Sequence, residues 1–178
     1  MTERELVDAC LANERSAQKE LYDQFSGQMM AVCLRYAGNP NDAADMMQEG
    51  FIKVFEKLGQ YKGDGALGAW IRRVMVNSAL IHIRKEKRHA FQESIDEAYD
   101  LHITDFNVLS ELAAKDILAL IAQLPTGYRT VFNLYAIEGY SHKEIAEKLE
   151  ISESTSKTQF HKAKIQLRNQ LNALEQGR

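Results

Sequence analysis

Residues 141–171 read SHKEIAEKLEISESTSKTQFHKAKIQLRNQL, and this stretch decides the fold. Ser141 with Glu144 three residues on is a capping box, in which each side chain satisfies the other residue's free backbone donor. Ile145, Ala146 and Leu149 form the inner face of a short helix, with Ala146 small enough for a close helix crossing. Ile151 plugs the turn, and Ser152 caps a second helix. In that helix Phe160, Ala163 and Leu167 face inward, which turns Lys157, Thr158, His161, Lys162 and Lys164 toward solvent. A short capped helix, a plugged turn and a second helix with a basic face make a helix-turn-helix, extending over residues 124–171. Such a unit lays its second helix in the major groove. Thr158, Gln159 and His161 are candidates for base edges, and Lys157, Lys162, Lys164 and Arg168 for phosphates or guanine. The alternative is a plain helical hairpin with a solvated basic face. It leaves unexplained why cap, crossing residue, plug and basic face all agree.

The rest of the 178 residues also reads as helix. Two helical stretches fill residues 4–38, where Leu21, Phe25, Met29 and Val32 recur at helical spacing. Gly38-Asn39-Pro40-Asn41 is a turn. A helix from Asp42 to about residue 58 carries Asp45 in its first turn. Its expected buried face is Ala44, Met47, Phe51, Val54, Phe55 and Leu58, with Asp45, Gln48, Glu49, Ile52, Lys53 and Glu56 opposite. Residues 61–65 form a loop. The next helix, 67–88, carries Trp70, Val74, Asn77 and Ile81 on one strip, with Trp70 expected in the core. Further helices are expected at 111–123, ended by Pro125, and at 128–138, stopped by Gly139. Two shorter helices and a tail complete the chain. The fold class is all-α: two helical domains joined by a flexible acidic linker.

Charge and composition narrow the function. The net charge of −3 does not itself suggest a nucleic-acid binder, but its distribution does. Arg72, Arg73, Arg84, Lys85, Lys87 and Arg88 face one acid, Glu86. Lys157, Lys162, Lys164 and Arg168 form a second basic group. Between the two, residues 90–110 hold Glu93, Asp96, Glu97, Asp100 and Asp105 and no Lys or Arg. Two basic surfaces flanking an acidic connector is a nucleic-acid pattern. No apolar run is long enough to cross a membrane, and the charged N-terminus is not a secretory signal, so the cytoplasm is the expected compartment. Cys10 and Cys33 read as core thiols, and no metal or cofactor site is expected.

Three stretches then resemble a known family. LPTGYRTVFNLYAIEGYSHKEIAEKLEISESTSKTQFHKAKIQL, residues 124–167, resembles the promoter −35 binding domain of bacterial sigma factors. DAADMMQEGFIKVFEKL, 42–58, and GALGAWIRRVMVNSALIHIRKEKR, 65–88, resemble the polymerase-binding and −10 helices of the same family. The order is right and nearly the whole chain outside the linker is covered. The short length is similar to the extracytoplasmic-function type of sigma-70 factor. The resemblance implies a region 2-like domain at 1–89, an acidic linker at 90–110 and a region 4-like domain at 111–178.

The resemblance also implies roles. Asp45, Met46, Gln48, Glu49, Ile52 and Lys53 would dock on the clamp helices of the polymerase's largest subunit, a mixed core with a charged rim; a solvated helix face is the plainer reading of the same residues. The flap region is the other expected polymerase contact. Tyr61, Lys62 and Asn77 would engage an extruded base of the −10 element, Tyr61 by stacking and Asn77 through its amide. Arg72, Arg73, Arg84, Lys85, Lys87 and Arg88 would hold phosphates. The linker's acids would mimic RNA in the polymerase channel. Partners are then core RNA polymerase, promoter DNA and an anti-sigma factor, for a chain that is monomeric when free and not inserted in membrane. Three positions depart from the family: His82 stands where Asp is usual, Glu150 where the turn often has Gly, and Ser156 where Val is usual.

Two other functions fit parts of the sequence. A stand-alone helix-turn-helix regulator explains residues 124–171 but not the helices at 42–58 and 65–88. A nuclease using Asp42, Asp45 and Glu49 lacks the histidines or second carboxylate cluster that would complete a metal site. The chain is therefore expected to be a transcription factor and not an enzyme.

Overall fold

The computed structural model describes residues 1–86 and 114–177. The expected acidic linker, Lys87 and Arg88 lie outside the described residues. The chain divides into two compact units, Met1–Lys85 and Glu86–Arg178. No strand occurs among the described residues.

The first unit contains α1 (Glu3–Leu11), α2 (Arg15–Ala37), α3 (Pro40–Lys57), a 3-10 turn (Leu58–Gln60) and α4 (Leu67–Glu86). Helix α1 starts with a capping box: Thr2 N donates to Glu5 Oε2 at 2.7 Å, and Glu5 N to Thr2 Oγ1 at 3.2 Å. Leu21, Phe25, Met29 and Val32 of α2 are all buried, as their spacing predicts. Helix α2 ends on Gly38 at φ 77°, a left-handed cap that glycine adopts without a Cβ clash. Helix α3 starts at Pro40, two residues before the expected Asp42. Asn39 Oδ1 accepts from Asp42 N at 2.9 Å, so Asp42, and not Asp45, occupies the first turn. Cys10 and Cys33 are buried free thiols; burial pushes Cys33 up to about 12.

Two faces of this unit differ from the periodicity reading. The buried stripe of α3 is Ala43, Met46, Gly50, Phe51, Val54 and the following Leu58; Ala44 is exposed, and Met47 and Phe55 are half-buried. The stripe passes through Gly50, which a hydrophobicity pattern does not register. A Cβ at Gly50 would lie 2.1 Å from Met75 Sδ, so glycine is what lets α3 close on α4. In α4 the buried residues include Leu67, Ile71, Met75, Ala79 and Ile83. Trp70 and Val74 are half-buried, Asn77 is exposed and Ile81 is 60% exposed. Helix α4 is apolar on more than one side, so spacing alone did not choose the inner face.

The second unit contains α5 (Ala114–Ala122), α6 (Thr126–Phe132), a π-helical turn (Asn133–Ile137), α7 (His142–Leu149) and α8 (Glu153–Gln176). Residues 111–113 of the expected fifth helix lie outside the described set. Leu120, Ile121, Leu124, Phe132, Ala163, Leu167 and Leu171 form the core, with Ile117, Tyr128 and Phe160 packed against it. Helix α8 is one continuous element, where a shorter helix and a tail were expected; Leu171, at 8% exposure, keeps its last turns on the core. Gly139, at φ 80°, turns the chain before α7. Arg129 is 5% exposed and ties the α5–α6 corner: its Nη1 donates to Leu124 O at 2.7 Å and Ala122 O at 3.1 Å. These carbonyls lie at the C-terminal end of α5, where no helical donor remains for them.

Candidate nucleic-acid interfaces

The helix-turn-helix is built as its sequence requires. Ser141 N donates to Glu144 Oε2 at 2.8 Å, and Glu144 N donates to Ser141 Oγ at 3.2 Å. The hydrogen bonds from Ser141's backbone, then its side chain, hold the Glu144 carboxyl below its ordinary range. Glu150 takes the left-handed conformation, φ 55° and ψ 43°, that its position in the turn demands. For a residue with a Cβ that conformation costs about 1 kcal/mol. Ile151 N donates to Ala146 O at 3.1 Å and closes the turn. Ser152 Oγ accepts from Thr155 N at 3.0 Å and starts α8.

On α8, Lys157 and Arg168 are exposed, and Thr158, Lys162 and Lys164 are half-buried. Lys164 Nζ lies 4.8 Å from the centre of the Phe160 ring, which braces it against the helix. Lys157 Nζ meets Glu153 Oε1 at 3.0 Å, an exposed pair that water screens. Two expected base-reading residues need correction. Gln159 is only 2% exposed, because it follows Ser156 by three residues and precedes Ala163 by four, which puts it on the inner stripe. His161 is half-buried, with its Nε2 enclosed and lacking a hydrogen-bond partner.

A buried polar pair was missed by the sequence reading. Ser156, fully buried, lies with its Oγ 2.9 Å from Nδ1 of His142, the first residue of α7. The His142 ring stacks on Tyr135 at 4.4 Å and 15°. Burial lowers the His142 pKa first, then the charges of Lys157 and Lys164, against the opposite pull of Glu153. A serine at an inner position of α8 was the available signal, since a buried hydroxyl requires a partner.

In the first unit the 61–66 loop and the outer face of α4 meet. Tyr61 is half-buried; its hydroxyl donates to Gly65 O at 2.6 Å, and its ring lies 5.8 Å from Trp70 at 55°. Trp70 therefore belongs to this aromatic pair, not to the core. Gly63 and Gly65 have φ of 78° and 104°, which bends the loop back on itself. Along α4, Trp70, Arg73, Asn77, Ile81 and Arg84 follow at three- and four-residue spacing and share one face. Arg73, Asn77 and Lys85 are exposed, as is Lys62 in the loop; Arg72 and Arg84 are half-buried.

Asp45, Gln48, Glu49, Ile52 and Lys53 are exposed on α3, and Ile52 is 52% exposed. Met46 is a correction: at 3% exposure it belongs to the core, one turn before Gly50 on the buried stripe. His82, the departure from the family pattern, has a partner on this face. Its Nδ1 lies 3.2 Å from Glu49 Oε2, linking α3 to α4.

The architecture is that of an all-helical, helix-turn-helix DNA-binding protein. Residues 21–89 match the family model for sigma-70 region 2, and residues 114–167 match that for sigma-70, region 4. The chain is 25% identical over 185 residues to the ECF RNA polymerase sigma-E factor of Haemophilus influenzae, an alignment covering 98% of this chain and 97% of that one. It is 29% identical over 173 residues to the ECF RNA polymerase sigma factor SigW of Bacillus subtilis, covering 90% and 92%. Its fold is similar to that of the sigma factor RpoE in a co-crystal with the anti-sigma factor NepR from Bartonella quintana. There the TM-score is 0.51 and the identity 18%, over 86% of this chain and 96% of that one. The chain belongs to the sigma-70 family, as an extracytoplasmic-function sigma factor, and is a transcription initiation factor.

Proposed function

We propose that the chain binds core RNA polymerase and divides promoter recognition between its two units. The outer face of α8 contacts the −35 duplex through Lys157, Thr158, Lys162, Lys164 and Arg168, with His161 at its edge. The 61–66 loop and the outward stripe of α4 capture and open the −10 segment. There Tyr61 and Asn77 engage a freed base, while Lys62, Arg72, Arg73, Arg84 and Lys85 hold the strand. The exposed residues of α3, Asp45, Gln48, Glu49, Ile52 and Lys53, dock on the polymerase clamp helices. The observation that carries this reading is the presence of both family regions in one chain, in order. A stand-alone helix-turn-helix regulator leaves the region 2 match unexplained.

The chain acts in the cytoplasm, where polymerase and promoter are, and performs no chemistry of its own. No helix among the described residues is long and apolar enough to cross a membrane. An anti-sigma factor is a fitting regulator, because the RpoE relative has been solved with one.

The test is binding of holoenzyme to promoter fragments across a salt series. Each phosphate contact removed on α8, as in Lys162→Ala, lowers the log–log salt slope by about 0.9. Substituting Tyr61 or Asn77 slows strand opening and leaves the affinity for −35 duplex unchanged. Loss of −35 affinity from the Tyr61 and Asn77 variants would reverse the proposed division.

A further inference from the structure

The 61–66 loop has an anchor outside the segment that carries it. Helix α1 touches both of its ends. Just before the loop, a Cβ built at Gly59 would lie 3.8 Å from Leu11 Cδ2, the last residue of α1. At the far end, Leu67 N donates to Glu3 Oε2 at 3.1 Å, a partly buried bond across a sequence separation of 64. Leu67 is the first residue of α4, so its amide has no partner within the helix. Ala66, the residue before it, has no side-chain oxygen to serve as cap. The carboxylate from α1 takes that place, and its charge suits the positive end of the α4 dipole.

Glu3 is itself held firmly. It lies between Thr2 and Glu5, the two residues of the α1 capping box, and Leu6, Val7 and Cys10 bury the rest of α1. Glu3 also bears on the loop. The Tyr61 hydroxyl is raised from its ordinary value by desolvation first, then by the Glu3 charge. One carboxylate thus holds the start of α4, and its charge bears on the aromatic residue of the loop. Within the loop, two glycines at positive φ and the Tyr61 hydroxyl on Gly65 O set the bend, and Glu3 ties that bend to α1.

We propose that Glu3 is a positioning residue for −10 strand capture. It fixes the start of α4 and the loop together, so that Tyr61 and the α4 stripe are presented in one geometry before DNA arrives. Preorganisation of this kind removes an ordering cost from the binding step. Residues 1–20, which hold α1, lie outside the stretch matched by the region 2 model. The proposal rests on the reading of the loop as the −10 element.

The experiment uses the full chain assembled with core polymerase. The probe is a promoter fragment selected from a random-sequence pool by the wild-type holoenzyme. Glu3→Ala, Glu3→Gln, Tyr61→Ala and Asn77→Ala are compared for opening rate, polymerase affinity, urea midpoint and hydrogen exchange at the Leu67 amide. Glu3→Ala is expected to slow opening about fivefold, the factor carried by one lost helix cap. It should speed exchange at Leu67 and leave polymerase affinity unchanged, with no more than the small fall in urea midpoint that one lost cap brings. Glu3→Gln, which keeps an acceptor oxygen, is expected to retain most of the opening rate. The proposal is overturned if Glu3→Ala opens DNA at the wild-type rate while Tyr61→Ala and Asn77→Ala slow it. It is also overturned if opening falls only in step with polymerase affinity and urea midpoint, which marks a structural role. If Tyr61→Ala and Asn77→Ala both open DNA normally, the −10 reading itself fails and the proposal with it. That outcome is distinguishable, because exchange at Leu67 still responds to Glu3→Ala.

Discussion

Both units cap helices locally, but they set their recognition elements by different means. In the second, the partners are neighbours in sequence: Ser141 with Glu144, Ser152 with Thr155, and Arg129 with the carbonyls of Leu124 and Ala122. In the first, decisive contacts cross the chain: Glu3 reaches Leu67, Glu49 meets His82, and Gly50 gives room to Met75. Local contacts reform as soon as a helix does, whereas long-range ones require the helices to be packed already. In the unit assigned to duplex recognition the helix-turn-helix is thus capped by contacts near in sequence. The unit assigned to strand opening has its recognition loop set by contacts from distant segments.

The sharpest break in this comparison is Arg129→Ala. It strips the donor from two carbonyls at a buried corner and is expected to destabilise the second unit by about 3 kcal/mol, read as a lower urea midpoint. The transition of the first unit should stay where it is. Next is Gly50→Ala, which drives a Cβ into the Met75 thioether and costs about 2 kcal/mol as overpacking. Combining it with Met75→Ala should lose less than the sum of the single losses, the sign of two groups sharing one space. Full additivity would mean that the close α3–α4 approach is not what demands glycine.

Smaller effects sharpen the local side. Ser141→Ala removes the α7 cap and is expected to cost about 1 kcal/mol. Glu144 then loses the side-chain share of what lowers its carboxyl pKa and keeps the larger share, the bond from the backbone N–H of residue 141. A carboxylate depressed by folding stabilises above its ordinary value of 4.5, and that contribution is lost as pH falls through the lower, folded value. The variant should therefore lose less stability between neutral and acid pH than the wild type. Glu150→Gly works in the opposite direction, relieving the left-handed strain for a gain of about 1 kcal/mol. The smallest effect concerns His142. Its folded pKa lies below 6.5, so below that pH the unfolded chain takes up protons more readily, and stability falls as the solution is acidified. His142→Phe should flatten that slope in urea titrations at successive pH values.

The same contrast explains which parts were legible. The capping box, the Ser152 cap, the turn at Glu150 and the inner residues Phe160, Ala163 and Leu167 were all readable, because each is a relation between residues a few positions apart. The buried stripe of α3 was misread by one position, since it runs through a glycine that no hydrophobic pattern marks. The outward strip of α4 was misread because that helix has apolar residues on several sides. Placing Trp70 beside Tyr61 and exposing Ile81 needed knowledge of where α2 and α3 pack. Gln159 and Met46 failed as surface residues for a related reason: a polar or flexible side chain at an inner register position looks exposed until the register is fixed. The links from Glu3 and His82 to their partners were invisible, since nothing in the intervening sequence announces them, and for Ser156 the hydroxyl at an inner position signalled a partner without naming it.

The central claim, that this chain acts through polymerase, is tested most directly by run-off transcription on a fragmented genome of its own source. The account predicts transcripts from discrete start sites only when both the chain and core polymerase are present, each preceded by paired −10 and −35 elements. It is contradicted if core polymerase with the chain yields no specific start, or if the chain alone binds the same sites as a dimer on palindromes.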